Sequence, residues 1–229
     1  KVVLSGLEGY GFDIEWSANL IPATNWNALW ESQFEPIVVD GKCTIKASFH
    51  EGLKKTRFNI TIDPKMAFGT GHHQTTYMMC RALLENEESV RDKVVLDMGC
   101  GTALLAILAR KHGATDVVAI DIDEFAYENA KENIVLNETP DIDVRLGGAE
   151  AIKADDSFDF VIANINRNII LGDIARYTAA LNAGGSLYVS GFLSEDVEHI
   201  TSAAAAHGLN LTTQLEEEGW VAIAFHKAQ

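Results

Sequence analysis

Residues 94–102 read Val94-Val95-Leu96-Asp97-Met98-Gly99-Cys100-Gly101-Thr102, and residues 116–121 read Asp116-Val117-Val118-Ala119-Ile120-Asp121. In the first stretch an apolar run ends, two glycines turn the chain, and Leu104 to His112 continues as a helix closed by Gly113. The second stretch is another apolar run, ending on an acidic residue. Strand, turn, helix, strand is a crossover unit of a parallel sheet. The alternation continues outward. A helix is predicted over Glu124–Leu136, with its polar face in Glu128, Asn129, Lys131, Glu132 and Asn133. Strands follow at Asp143–Leu146 and Phe158–Ala163, then a helix over Ile169–Leu181 closed by Gly184-Gly185. A strand at Ser186–Ser190 and a helix over Glu195–His207 precede two last strands, Leu209–Leu215 and Trp220–His226, which turn at Gly219. This pattern predicts a doubly wound α/β sheet, mostly parallel, with one of the last two strands antiparallel.

Upstream the chain has a different character. Residues 1–35 are rich in Trp, Asn and Gly, and Trp16, Trp26 and Trp30 read as a packed aromatic strip. Ile37–Val39 and Cys43–Phe49 flank Asp40-Gly41 as a hairpin, and Arg57–Ile62 is a further strand. Tyr77–Leu84 is an apolar helix with Thr75 or Thr76 near its N-cap. The 229 residues suit one domain with an appendage. At 47% hydrophobic and 22% charged, the chain is neither disordered nor fibrous. It contains no apolar run of the roughly 18 residues a membrane helix needs and no signal-peptide pattern. Lys+Arg 18 against Asp+Glu 33 gives 18 − 33 = −15, a field that repels a phosphate backbone and attracts a basic protein. The three cysteines, Cys43, Cys80 and Cys100, form no CxxC pair, which fits a reducing cytoplasm. Because the chain begins at Lys1 rather than Met, a longer gene product is expected.

Three clusters carry chemistry. Gly99 and Gly101 let a ligand approach the backbone at a helix N-terminus, and Asp121 stands about 20 residues on, where a carboxylate can accept from both ribose hydroxyls. A dinucleotide site needs a third glycine where this chain has Leu104, and it ordinarily has an apolar residue where this chain has Asp97. Both departures favour S-adenosylmethionine, which has a ribose and no pyrophosphate. The second cluster is Phe68-Gly69-Thr70-Gly71-His72-His73-Gln74-Thr75-Thr76. On this segment alone, a ligand loop and a plain N-cap turn explain the residues equally well. Adjacent His72 and His73, without acidic or cysteine partners nearby, make a poor metal site, and no metal is expected. The third cluster, Ala163-Asn164-Ile165-Asn166, lies beyond a strand's carboxyl end, where doubly wound sheets bind ligands. An Asn there offers a carbonyl acceptor that can orient an amine. A turn-forming Asn is the simpler reading of that residue by itself.

Taken together, Ala67–Thr76, Val95–Thr102, Ala119–Asp123 and Ala163–Ile165 resemble the PrmA family, the ribosomal protein L11 methyltransferases. Asn25-Trp26-Asn27, Trp30 and Phe34–Ile37 are similar to the family's linker and the start of its catalytic domain. The resemblance implies a Rossmann-like class I methyltransferase domain over residues 36–229, a linker over 24–35, and a partial N-terminal α+β substrate-recognition module over 1–23, from which intervening residues near Asp13-Ile14 are expected to be missing. It implies S-adenosylmethionine as cofactor, held at Thr76, Gly99, Asp121 and Asn164, with Phe68, Thr70, Gly71, Asp97 and Gly101 in the same site. Asn164 is the catalytic candidate. The implied substrate is ribosomal protein L11, methylated repeatedly on lysines and the α-amine, in the cytoplasm, with no nucleic-acid platform and no membrane. The oligomeric state is left open.

This chain departs from the family at His72 and Gln74, where Thr and Pro are usual, and at Asn166, where Leu is usual. Three rivals are weaker, the first a class I methyltransferase acting on a nucleic-acid amine, on another protein or on a small-molecule amine. Nucleic-acid amino-methyltransferases carry Asn-Pro-Pro-aromatic where this chain has Asn164-Ile165-Asn166-Arg167. An NAD-dependent oxidoreductase needs the third glycine. A non-catalytic homologue would bind the cofactor without turnover.

Overall fold

Alternate residues of each central strand face opposite sides of one sheet, and each side finds its own helices. Val95, Val117, Phe160, Ile162, Tyr188, Ala222 and Ala224 belong to one core, while Leu96, Val118, Val161, Ala163, Leu187, Val189, Val221 and Ile223 belong to the other. This is the period of 2 that a sheet covered on both faces requires. Each fully buried Leu, Ile or Phe contributes about 1.5–3 kcal/mol of burial.

The structure is a computed structural model, and it describes residues 35–63, 65, 67–86 and 90–229. The expected N-terminal module, the linker as far as residue 34, and Trp16, Trp26 and Trp30 lie outside the described residues. In chain order the strands and α-helices are β1 (Ile37–Val39), β2 (Cys43–Lys46), β3 (Phe58–Thr61), α1 (Gln74–Glu85), β4 (Val94–Met98), α2 (Leu104–His112), β5 (Asp116–Asp121), α3 (Glu124–Leu136), β6 (Asp143–Leu146), β7 (Phe158–Asn164), α4 (Arg167–Ala180), β8 (Leu181–Leu193), α5 (Val197–Ala206), β9 (Leu209–Glu217) and β10 (Trp220–Lys227). The main sheet has the order β6-β5-β4-β7-β8-β10-β9. β10 is antiparallel to both of its neighbours, as expected for one of the last two strands. The turn before it places Glu218 at φ 50° and Gly219 at φ 80°, the left-handed pair of a tight hairpin. Among the described residues no helix is long and apolar enough to cross a membrane.

A small second sheet, β1-β2-β3, packs into the core that α1, α2 and α3 cover. Its first pair is the expected hairpin, but β3 joins β2 in parallel. The outer edge of β3 is closed by a helix instead of a strand. Asn137 accepts from Thr61 N–H (2.9 Å) and donates to Thr61 O (2.6 Å). Asn133 accepts from Asp63 N–H (3.0 Å), and Asn129 donates to Asp63 O (2.7 Å). Spaced by four along α3, these side chains stack on one helix face and present amides as a strand would. Asn129 and Asn133 are therefore buried, a correction to the expected solvent face.

Other boundaries differ for local reasons. His73, not a threonine, caps α1: its ring accepts from Thr75 N–H. Asn166 caps α4 by accepting from Asn168 N–H at 2.9 Å, so that helix starts two residues before the expected Ile169. β8 begins at Leu181 and carries Gly184 and Gly185 within it, because the strand pairs with β7 from Phe158 onward across a bulge. α5 starts at Val197, after a separate 3-10 turn over Ser194–Asp196.

Candidate active site

Strand order reverses between β4 and β7, and the carboxyl ends of β4, β5 and β7 meet there. A cleft of about 540 Å³ opens over them. Phe68 from the loop before α1, Gly99 and Gly101 after β4, Asp121 at the end of β5 and Asn164 at the end of β7 all line it. Five of the residues expected in the site thus converge from four separated segments.

The glycines answer first to the protein's own packing. Both are left-handed, at φ 69° for Gly99 and 53° for Gly101. A Cβ on Gly99 would lie 2.1 Å from Ile165 Cγ2, and one on Gly101 would lie 2.2 Å from the Phe68 carbonyl oxygen. The loop carrying Phe68 is clamped to the glycine turn. Thr102 N–H donates to Phe68 O (2.9 Å), and the Thr102 hydroxyl donates to Gly69 O (2.6 Å). Gly99 and Cys100 N–H both donate to Ile120 O, at 2.8 and 3.0 Å. The Asp121 carboxylate accepts from Gly101 N–H (2.8 Å) through one oxygen and from Asp123 N–H (3.0 Å) through the other. Each oxygen keeps a second lone pair for a ligand hydroxyl.

Four expected site residues do not line the cleft. The Thr70 hydroxyl lies 3.0 Å from His72 Nδ1. Gly71 packs on the small sheet, where a Cβ would meet Ile45 Cδ1 at 2.9 Å. Asp97 is 1% exposed and accepts from Ala106 N–H at 2.9 Å. Burial pushes its carboxyl up to about 7, against the pull of that N–H, and the neighbouring Asp121 charge adds to the rise. Thr76 is 1% exposed, and its hydroxyl accepts from Asn164 Nδ2 at 3.2 Å. Asn164 Oδ1 is buried and has no hydrogen-bond partner among the described residues.

The first turn of α1 is tied down on several sides. The His73 ring stands edge-on to Phe68 (5.4 Å between centroids) and to Trp220 (4.7 Å). Gln74, one of the family departures, donates to the Glu218 carboxylate in the β9–β10 turn.

The sequence reading missed Ile122, Gly148, Glu150, Ile165, Ile169 and Asp173, all of which line the cleft. The pair Gly147-Gly148 was an available signal, since it follows β6 at the same sheet edge. Glu150 accepts from Gly148 N–H at 2.7 Å, which holds its carboxyl below the usual range. With Asp121, Asp123 and Asp173 it makes a cleft that, among the described residues, is lined by four acidic side chains and by no Lys, Arg or His. That potential suits a cationic ligand and opposes a pyrophosphate. Among the described residues no group of three His, Cys, Asp or Glu is placed to hold a metal ion.

Comparison with known proteins places this geometry in context. A family model described as ribosomal protein L11 methyltransferase (PrmA) matches residues 5–228. A ribosomal protein L11 methyltransferase from Bacteroides thetaiotaomicron is 46% identical over 202 residues, covering 88% of this chain and 71% of the relative. One from Porphyromonas gingivalis is 45% identical over 212 residues, covering 92% and 72%. The crystal structure of a ribosomal protein L11 methylase from Lactobacillus delbrueckii subsp. bulgaricus superposes with a TM-score of 0.77 at 28% identity, covering 86% of this chain and all of the other.

Proposed function

The chain belongs to the ribosomal protein L11 methyltransferase (PrmA) family, and from that premise we propose that it transfers methyl groups from S-adenosylmethionine to lysine side chains and the α-amine of ribosomal protein L11 in the cytoplasm. The cleft fits the cofactor on three counts. A cradle at Gly99 and Gly101 tolerates no Cβ. A carboxylate at Asp121 has lone pairs to spare for a ribose. The acidic lining suits a sulfonium. When bound, S-adenosylmethionine supplies a methyl group made electrophilic by its sulfonium charge. Phe68, Gly99, Gly101 and Asp121 are the residues we assign to holding it, with Ile122 and Glu150 completing the wall.

The single observation that carries the catalytic reading is the unpartnered Oδ1 of Asn164. A buried acceptor without a donor costs about 1–3 kcal/mol, and an amine N–H relieves that cost. The acceptor nitrogen must be neutral to attack. A free lysine with a pKa of about 10.4 needs about 4–5 kcal/mol to lose its proton at pH 7. Asn164 Oδ1 accepts one N–H of the amine and so turns the nitrogen lone pair toward the methyl carbon. Such alignment contributes roughly 7–11 kcal/mol. The amine proton leaves to solvent before attack, and no side-chain base is required.

In this reading residues 36–229 are the catalytic domain, 24–35 the linker, and 1–23 part of the module that recognises the substrate protein. The start of β1 at Ile37 supports the first boundary. The test is intact-mass spectrometry of purified ribosomal protein L11 incubated with this protein and S-adenosylmethionine. Mass increments of whole methyl groups are expected, and unchanged mass with cofactor bound would sink the proposal.

A further inference from the structure

A second cavity, of about 280 Å³, shares one residue with the cleft: Ala149, in the 3-10 turn Ala149–Ala151, lines both. The two have opposite electrostatics. The cleft is lined by four carboxylates, whereas the second cavity carries two cations, Lys153 just after the turn and Arg176 on α4. We propose that this cavity is a separate binding site for a small dianion with an apolar body, a phosphate monoester or a dicarboxylate, held by Lys153 and Arg176. Ile152, Ala154 and Ala179 supply the apolar wall against which the body packs.

In a chain with 33 acidic and 18 basic residues, a cation usually finds a carboxylate. Among the described residues neither Lys153 nor Arg176 makes an ion pair. The cavity's one carboxylate, Asp156, is already engaged. It pairs with Arg145 through both oxygens and accepts from Lys153 N–H at 2.8 Å. The Arg145 guanidinium holds that carboxyl below its usual range, with the charge of Lys153 a smaller contribution. Asp156 therefore does not compete for the two cations. Arg176 also stands near the carboxyl end of α4, where a cation can serve the helix dipole. That service is already rendered by Lys227, whose Nζ donates to Thr178 O (2.7 Å) and Leu181 O (2.6 Å). Both side chains remain exposed at the cavity and available to a ligand. Two charges ask for a dianion, and the alanine and isoleucine wall asks for more than a bare ion.

The site does not depend on the methyltransferase reading, and its test needs neither S-adenosylmethionine turnover nor ribosomal protein L11. The probes are phenyl phosphate and phthalate, both dianions at pH 8. Benzoate is the monoanion with the same ring, and inorganic phosphate is the dianion without one. Each is titrated into the full chain at constant ionic strength, so that screening is equal. Backbone amides of Lys153, Ala154 and Ala179 in a 15N correlation spectrum are the readout. A Kd on the order of 1 mM is expected for at least one ring-bearing dianion, with benzoate and inorganic phosphate each about tenfold weaker. Which of phenyl phosphate and phthalate binds tighter assigns the site to phosphate monoesters or to dicarboxylates. Lys153→Glu and Arg176→Glu are each expected to weaken that dianion at least about tenfold. S-adenosylhomocysteine affinity should stay within about threefold in both, since neither residue lines the cleft. Lys153→Gln and Arg176→Gln give the same reading with a smaller loss if a reversed charge disturbs the fold. Benzoate binding as tightly as the dianions would overturn the proposal. So would a dianion Kd indifferent to all four substitutions, or shifts confined to amides outside the cavity.

Discussion

The two walls of the cleft are built on opposite principles. On the glycine side nearly every polar group already has a partner within the chain. Gly99, Cys100, Gly101 and Thr102 spend their N–H groups on Ile120, Asp121 and Phe68. That wall is rigid before any ligand arrives, and its selectivity is one of shape. On the Asn164 side a single amide is held at one end by Thr76 and left unsatisfied at the other. That wall is chemically unfinished, and a donor completes it. A methyl transferase needs both properties, since a donor that must be held in line during transfer rewards preorganisation and a passing amine rewards an open valence.

Substitutions should split along the same line. The largest effect is expected from Gly101→Ala. A left-handed alanine costs about 1–2 kcal/mol, and forcing its Cβ against the Phe68 carbonyl adds about 1–3 kcal/mol. Denaturant unfolding should show both losses together, and S-adenosylhomocysteine titration should show binding abolished. A near-normal midpoint would mean the wall is not rigid. Next comes Asn164→Ala, where kcat should fall about 100-fold while cofactor Kd holds. A rise in Kd of the same size would erase the distinction between the walls.

Asp121→Ala should do the reverse. Cofactor affinity falls by about 1–3 kcal/mol, with kcat at saturation largely kept. The smallest effect concerns pH. Burial raises the Asp97 carboxyl from its ordinary 3.8 to about 7, so between those values the folded chain holds a proton that the unfolded chain has lost. Its stabilising contribution is full below about pH 4 and drains away as pH rises through about 7. Asp97→Asn should therefore flatten the fall in stability between pH 6 and pH 8 by about 1–2 kcal/mol. Identical pH profiles for the two proteins would show that Asp97 is charged in the fold.

What could be read from residues alone follows from range. Gly99, Gly101 and Asp121 sit where apolar strands end, and strand periodicity is local, so their placement was legible, whereas Asn164 read by itself as a turn residue and entered only through the family resemblance. The cleft partners Ile165 and Ile169 were not, because their apolar side chains look like core until β7 and α4 are placed. Thr70 and Gly71 share a motif with Phe68 yet turn away from the cleft, since that loop also packs on the small sheet. Asn129 and Asn133 read as a solvated face because their partners, Asp63 and Thr102, lie far upstream in sequence.

Those asparagines set an order of events during synthesis. Thr61 leaves the ribosome 76 residues ahead of Asn137, the side chain that closes its strand edge. At about 5–20 residues per second, the outer edge of β3 waits roughly 4–15 s with its amides unpaired. For that interval the newborn chain carries an open strand edge, a template for neighbours on the same message. Helix α3 ends the exposure when it arrives, so a slow codon between residues 63 and 129 lengthens the window in which nascent copies can pair wrongly.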